Sequence, residues 1–294
     1  MKNQQIFSSQ VENLKITTLM NDKVDKNNSY LGQHGLSFFI EFRAGDENHT
    51  LLFDTGQEHQ PVLYNTEILR VDLKKTEKIF LSHCHYDHTG GLVGLLHHIN
   101  KDIEIIGHTD LFRETYKKGE KLTSKGVTEE NSRENIEKNG GTLKLTKKSF
   151  EIFPGVISTG EIERDIDPKP TGYVNKIDKD EYEIDYFIDD MSVVFNLKDK
   201  GLFIVTGCSH AGIVEIVEHS VKITGNNKVY GIIGGLHLLN KDKVEINEII
   251  AKLEKYDMKF VSAGHCTGLA AEYLLSQKYG DKFKELMTGK VFEI

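Results

Sequence analysis

Short apolar runs separated by polar turns follow one another from residue 14 onward. LKITTLM (14–20), LSFFIEF (36–42) and HTLLFDTG (49–56) are rich in β-branched and aromatic residues and predict strands. KIFLS (78–82) is short and apolar, as in a strand buried on both faces. GLVGLLHHI (91–99) has helical spacing, and IEIIGH (103–108) returns to strand. The second half repeats the theme. VISTG (156–160), SVVFNL (192–197), GLFIVTG (201–207), VYGIIGG (229–235) and KFVSAG (259–264) predict strands, and 211–221, 241–256 and 268–278 predict helices. Two strand-rich halves with interspersed helices predict an α/β fold of two sheets packed face to face, with helices outside.

Residues 110–148 break the pattern, being charged and rich in lysine. Thr128 is placed to cap a helix over 129–138, with Glu129 and Glu130 in its first turn and Gly140-Gly141 as its stop. This predicts a helical excursion from one domain spanning 1–294, and a solvated face for Lys117, Lys118, Lys121, Lys125, Lys144, Lys147 and Lys148. The formal net charge of −8 argues against a general nucleic-acid or anionic-membrane binder, whose affinity comes from cations on phosphate. MKNQQIFSSQ lacks the apolar core of a leader, and no long apolar run follows, which predicts a cytoplasmic protein. Three cysteines, an odd number, fit reduced thiols. Each lies within two residues of a histidine: Cys84, Cys208 and Cys266 beside His83, His210 and His265.

The densest chemistry is IFLSHCHYDHTGG, residues 79–91. At a strand end, residues two apart project to one side, so His83 and His85 can grip one cation. Asp87 and His88 follow where the chain turns and can reach a second cation beside it. Gly90-Gly91 then let the backbone turn sharply into the next helix. His49, His59, His97, His98, His108 and His219 lack such company and are read as ordinary surface or core residues.

This H-x-H-x-D-H pattern after a strand, with LLFDTG before it, resembles the metallo-β-lactamase superfamily of metal-dependent hydrolases. QHGLSFFI, TGEIER, GLFIVTGCSHAGI, GGLHLL and GHCTG further resemble the subfamily related to dihydropterin–ribofuranosylaminobenzene 5′-phosphate synthase. The resemblance implies an αββα four-layer sandwich of two mixed sheets, with a metal site at one edge. It also implies a late histidine for the second metal, which GHCTG supplies as His265, to act with Asp87 and His88. The usual third histidine for the first metal has no counterpart between His108 and His210, so His210 is the remaining choice. Cys208 stands where the bridging aspartate usually lies. A thiolate there would bind zinc, but the spacing favours a small buried residue that lets the strand turn. Asp189 or Asp190 are other sources of a carboxylate. Asp54 is read as the acceptor for the free ring N–H of a ligand histidine. His237 is the candidate for substrate contact or proton donation, and His34 for a structural or substrate role.

Two divalent ions about 3.5–4 Å apart, zinc first, with manganese or iron also suited, would turn a shared water into hydroxide. The expected function is therefore hydrolysis of a small phosphate ester or phosphodiester, with Asp87 orienting the water and His237 protonating the leaving group. The alternative is a transferase joining a pterin pyrophosphate to an aminobenzene ribotide phosphate. A flavodiiron-type oxidoreductase is disfavoured, since it needs a flavin domain and usually a glutamate where His85 stands. The expected partner is a small, possibly phosphorylated molecule, with no nucleic acid and no membrane.

Overall fold

The computed structural model describes residues 6–165 and 171–294; the first five positions of the N-terminal stretch searched for a leader lie outside them. The predicted strands form with small shifts at their ends, among them Val11–Met20, Ser37–Ala44, Glu47–Phe53, Lys78–Phe80 and Ile103–Gly107. In the second half Ser192–Leu197, Gly201–Thr206, Val229–Gly235 and Phe260–Gly264 do the same. Hydrogen bonding links them into one 14-stranded mixed sheet, because Val11–Met20 touches Ser192–Leu197 in parallel at the single pair Val11↔Leu197. Packing nevertheless makes two faces. Phe38, Phe53 and Phe80 from one half share an apolar cluster with Phe195, Phe203 and Ile233 from the other.

Alternation along the strands builds the outer layers. Phe39 and Leu52, whose neighbours point inward, face outward onto Val62, Leu95, Leu96 and Ile99 of the helices His59–Leu69 and Leu92–Ile99. Val194, Ile204 and Ile232 face outward onto Ile216, Val217, Ile246 and Leu275 of the helices Ile213–Thr224, Lys243–Glu254 and Leu269–Tyr279. Three apolar clusters between four layers give the expected sandwich. The helix His59–Leu69 escapes a periodicity reading because it buries Asn65 and Thr66. The Asn65 amide is satisfied inside by the Leu19 and Leu31 carbonyls.

The 110–148 stretch differs from expectation. Its helix is only Arg133–Lys138, capped by Ser132, whose hydroxyl accepts from the Asn135 N–H. Thr128 instead precedes a 3-10 turn, Glu129–Asn131, and makes no side-chain cap. The rest is partly strand: Thr115–Lys117 and Thr123–Ser124 join Tyr173–Asp178 and Glu181–Ile184 in a separate four-stranded antiparallel sheet. The partner strands lie some sixty residues on (Tyr173↔Lys117), so local pattern could not reveal the pairing. Among the described residues no helix is long and apolar enough to cross a membrane.

Candidate metal centre

Asp22, Asp54, His83, Cys208, His210, His237 and His265 all lie just beyond the C-terminal ends of strands of the large sheet. One edge of the sandwich therefore gathers them, although they are up to 243 positions apart. The glycines after the motif do something other than turn. Gly90 and Gly91 have ordinary negative φ as caps of Tyr86–Thr89 and Leu92–Ile99. A Cβ on them would lie 2.2 Å from the Gln57 carbonyl oxygen and 2.3 Å from that of Thr55. Only glycine lets the motif pack this closely on the Asp54-Thr55-Gly56 loop.

The side chains form two adjoining clusters. In the first, one ligand atom each from His83, His85 and His210 lie within 4.8 Å of one another. His85 Nδ1 and His210 Nε2 face each other at 3.2 Å. His83 Nε2 is buried with no hydrogen-bond partner. Burial pushes His83 and His210 well below the usual histidine range, and neighbouring imidazoles add to this. The rings are thus neutral, as metal ligands must be.

In the second, His88 Nε2 lies 3.1 Å from Cys208 Sγ, 3.3 Å from His265 Nε2 and 3.4 Å from Asp87 Oδ2. Asp87 Oδ2 is 3.3 Å from His265 Nε2. A tetrahedron with metal–ligand bonds of about 2.0–2.3 Å has edges of roughly 3.3–3.7 Å, so these four atoms nearly outline a cation-sized hole. Electrostatics agree. Burial opposes a charge on His88, but Asp87 and Asp54 outweigh it and push its pKa up to about 9. The cluster favours positive charge at its centre.

Cys208 was expected to be a small turn residue; its thiol instead points into the second cluster. We expect Cys208→Ser to weaken metal binding there by at least ~10-fold, the lower end of what even outer-shell changes cost. Metal content after dialysis against a chelator is the measurement, and unchanged occupancy would return Cys208 to a filling role.

The supporting shell fixes tautomers. Asp54 accepts from the Ser82 N–H (2.7 Å), the Ser82 hydroxyl (2.7 Å) and His88 Nδ1 (2.6 Å). That turns His88 Nε2 toward the other three side chains, where a metal would take the place of its proton, the role expected of Asp54. Ser82 Oγ, donating to Asp54, accepts in turn from His83 Nδ1 at 2.9 Å. Asp22 does the same for His265, whose Nδ1 donates to it at 2.7 Å. Asp22 gave no motif signal; its one hint is its position just past a strand end, like Asp54. His34 sits between Asp22 and Asp87, with Nδ1 3.1 Å from Asp22 and Nε2 3.4 Å from Asp87. Asp189 accepts from the Cys84 N–H at 2.8 Å and pairs with Arg113. Asp190 accepts from the Ala211 N–H at 2.7 Å. Neither carboxylate belongs to the two clusters; both support the loops that carry the histidines.

Asp54, Ser209, His237 and His265 have φ between 51° and 60°, a region non-glycine residues seldom occupy. Such strain persists where surroundings over-determine it. His237 is partly exposed at the wall of the cleft, 4.2 Å ring to ring from His210, and one of its ring nitrogens lies within 4.8 Å of ligand atoms of both Cys208 and His210. The cleft, ≈ 450 Å³, is lined by His34, Tyr86, Tyr173, His237 and lysines 117, 125 and 241 among others. His49, His108 and His219 are engaged elsewhere: His49 through Nδ1 with Glu77, His108 with Glu161 and His219 with the Thr159 carbonyl.

Residues 32–177 match the family model for the metallo-beta-lactamase superfamily. Over 287 residues the chain is 37% identical to the 7,8-dihydropterin-6-methyl-4-(beta-D-ribofuranosyl)-aminobenzene-5′-phosphate synthase of Methanocaldococcus jannaschii, covering 96% of this chain and 97% of that protein. The crystal structure of Tm1679, a metal-dependent hydrolase of the beta-lactamase superfamily, superposes with a TM-score of 0.78 at 25% identity, covering 96% and 99% of the two chains. A diphosphatase from the PhnP family shares the fold, with a TM-score of 0.51 at 10% identity over 96% and 98% of the chains. The expectation of a phosphate-ester hydrolase is corrected here, since the relative matched end to end at 37% identity is a synthase. The physical reason is that a ligand set able to activate water can equally neutralise a departing anion, so the motif alone does not choose between cleavage and transfer. The chain belongs to the metallo-beta-lactamase superfamily.

Proposed function

We propose that this chain is a transferase joining a dihydropterin carrying a pyrophosphate to an aminobenzene ribotide phosphate. The amine nitrogen of the ribotide bonds to the methylene carbon of the pterin. The bond from that carbon to pyrophosphate breaks, and the amine gives up a proton. The observation that carries this reading is the end-to-end match to the synthase, 37% identical over 96% of the chain.

The geometry supports it in two ways. A second cleft of ≈ 380 Å³ shares His210, His237 and Lys241 with the first, so two substrates can meet across one wall. Lysines 117, 125 and 241 give the first cleft a basic rim suited to phosphoryl groups. His83, His85 and His210, and Asp87, His88, Cys208 and His265, are the residues that would hold divalent ions, zinc first, with manganese or iron also suited to nitrogen and carboxylate ligands. When bound, such ions would supply positive charge to stabilise a departing pyrophosphate. Asp54 and Asp22 orient the histidines for that task. His237, on the shared wall, is placed to donate a hydrogen bond to the leaving group.

The test is to incubate the metal-loaded protein with both substrates and follow pyrophosphate release together with the mass of the joined product. Release should require both substrates and match product mole for mole. Pyrophosphate or phosphate release from either substrate alone, without joined product, would overturn the reading.

A further inference from the structure

Lys117 and Lys125 were expected on a solvated face, yet both turn toward the cleft. Each stands over an aromatic ring: Lys125 Nζ is 4.8 Å from the centre of Tyr86, and Lys117 Nζ is 6.0 Å from that of Tyr173. Among the described residues neither lysine has a carboxylate within salt-bridge distance, whereas Lys147 and Lys176 are paired. Tyr173 lies nearly parallel to the His85 ring, 5.7 Å away at 27°. The carriers are held firmly. The Tyr86 N–H donates to the Lys125 carbonyl at 3.0 Å, and the Lys125 N–H to the Thr115 carbonyl at 2.9 Å. Thr115 is tied through its hydroxyl to buried Asp185 at 2.6 Å. The small antiparallel sheet is thereby fastened to the H-x-H-x-D-H loop, and together Lys117 and Tyr173 of the sheet, Lys125 just past it and Tyr86 of the loop place two ammonium groups and two rings at the cleft.

We propose that Lys117, Lys125, Tyr86 and Tyr173 form a recognition subsite for an aromatic phosphate ester: a flat ring lies against the tyrosines while the phosphoryl group takes the two ammonium groups. A phosphate pairs with lysine as with a point charge, and a ring gains from offset or edge contact with tyrosine. In this arrangement the lysines keep their cation–π contacts while a bound dianion neutralises them. The subsite deepens the transferase reading, in which both substrates are aromatic and phosphorylated, but its test is independent of turnover.

Phenyl phosphate and inorganic phosphate are titrated into the metal-loaded protein and binding is read by calorimetry. The wild type should bind phenyl phosphate more tightly than inorganic phosphate. The Lys117→Ala/Lys125→Ala variant should lose about tenfold or more in phenyl phosphate affinity, the size of a charged hydrogen bond. Tyr173→Leu should lose about tenfold for phenyl phosphate and little for inorganic phosphate. Tyr173→Phe, which keeps the ring, should bind as the wild type does, which separates loss of the ring from a folding defect. Equal binding of the two ligands by the wild type, or unchanged phenyl phosphate affinity in the double-lysine variant, would overturn the subsite. Failure of the two-substrate condensation with these binding results intact would overturn the transferase reading alone.

Discussion

His88→Ala is expected to strip the cluster of Asp87, His88, Cys208 and His265 of its cation and to lower turnover by ~10³-fold or more, since a catalytic ion contributes several kcal/mol to the transition state. The size follows from position. His88 Nε2 lies within 3.4 Å of all three other members, and its ring is buried completely. Asp54 directs the ring toward them from behind at 2.6 Å. Asp54→Asn is the graded companion. It leaves the ligands in place and removes the acceptor that sets the tautomer, so metal affinity should fall ~10–100-fold. Metal analysis and pyrophosphate release on both variants are the measurements. His97→Ala, on the exposed side of Leu92–Ile99, is the control that should change neither. Full metal content and turnover in His88→Ala would show that this cluster is not the working site.

Arg113→Ala should destabilise the fold by about 3–5 kcal/mol, the usual cost of orphaning buried charge. The guanidinium is nearly buried and bridges Asp185, at 3.1 Å, and fully buried Asp189. Burial pushes the Asp189 carboxyl up, but Arg113 outweighs it and holds it below the usual carboxylate range. With a folded pKa below the unfolded ~3.9, the wild-type contribution is present above that value. It is lost as pH falls through the folded pKa. Without Arg113, burial outweighs the remaining help from His85 and the Cys84 N–H, and the sign reverses. The folded pKa rises, and stability is lost as pH climbs through it. The deficit of Arg113→Ala relative to wild type should therefore be larger at pH 8 than at pH 5 in urea melts. A deficit independent of pH would mean that Asp189 is not the group left uncompensated. Arg113→Lys keeps the charge without the planar fork and should fall between the two. Because Asp189 also receives the Cys84 N–H, the same change should loosen the loop carrying His83 and His85.

The sequence by itself determined the strands, the sandwich and the dense part of the site. Alternation in SFFIEF and SVVFNL is set by which face each side chain buries, a local property of an extended chain. H-x-H-x-D-H is likewise local, so four metal-type side chains could be read from one short stretch. What the sequence did not carry was any property of residues that meet only after folding. Cys208 and His88 are 120 positions apart, and the thiol's turn toward the histidine depends on the two sheet halves closing on each other. Asp22 acquires its role from His265, 243 positions away. Lys117 and Lys125 read as a solvated run because pairing with Tyr173–Asp178, not local pattern, swings them over the cleft. Reaction type was also out of reach of the motif, since side chains that can hold a cation do not report which bond it helps to break. Tertiary structure decided the placing of Cys208, Asp22, Lys117 and Lys125 for one physical reason. Ligand geometry and charge balance are set by distances across the fold, and chain order constrains such distances only within a few residues.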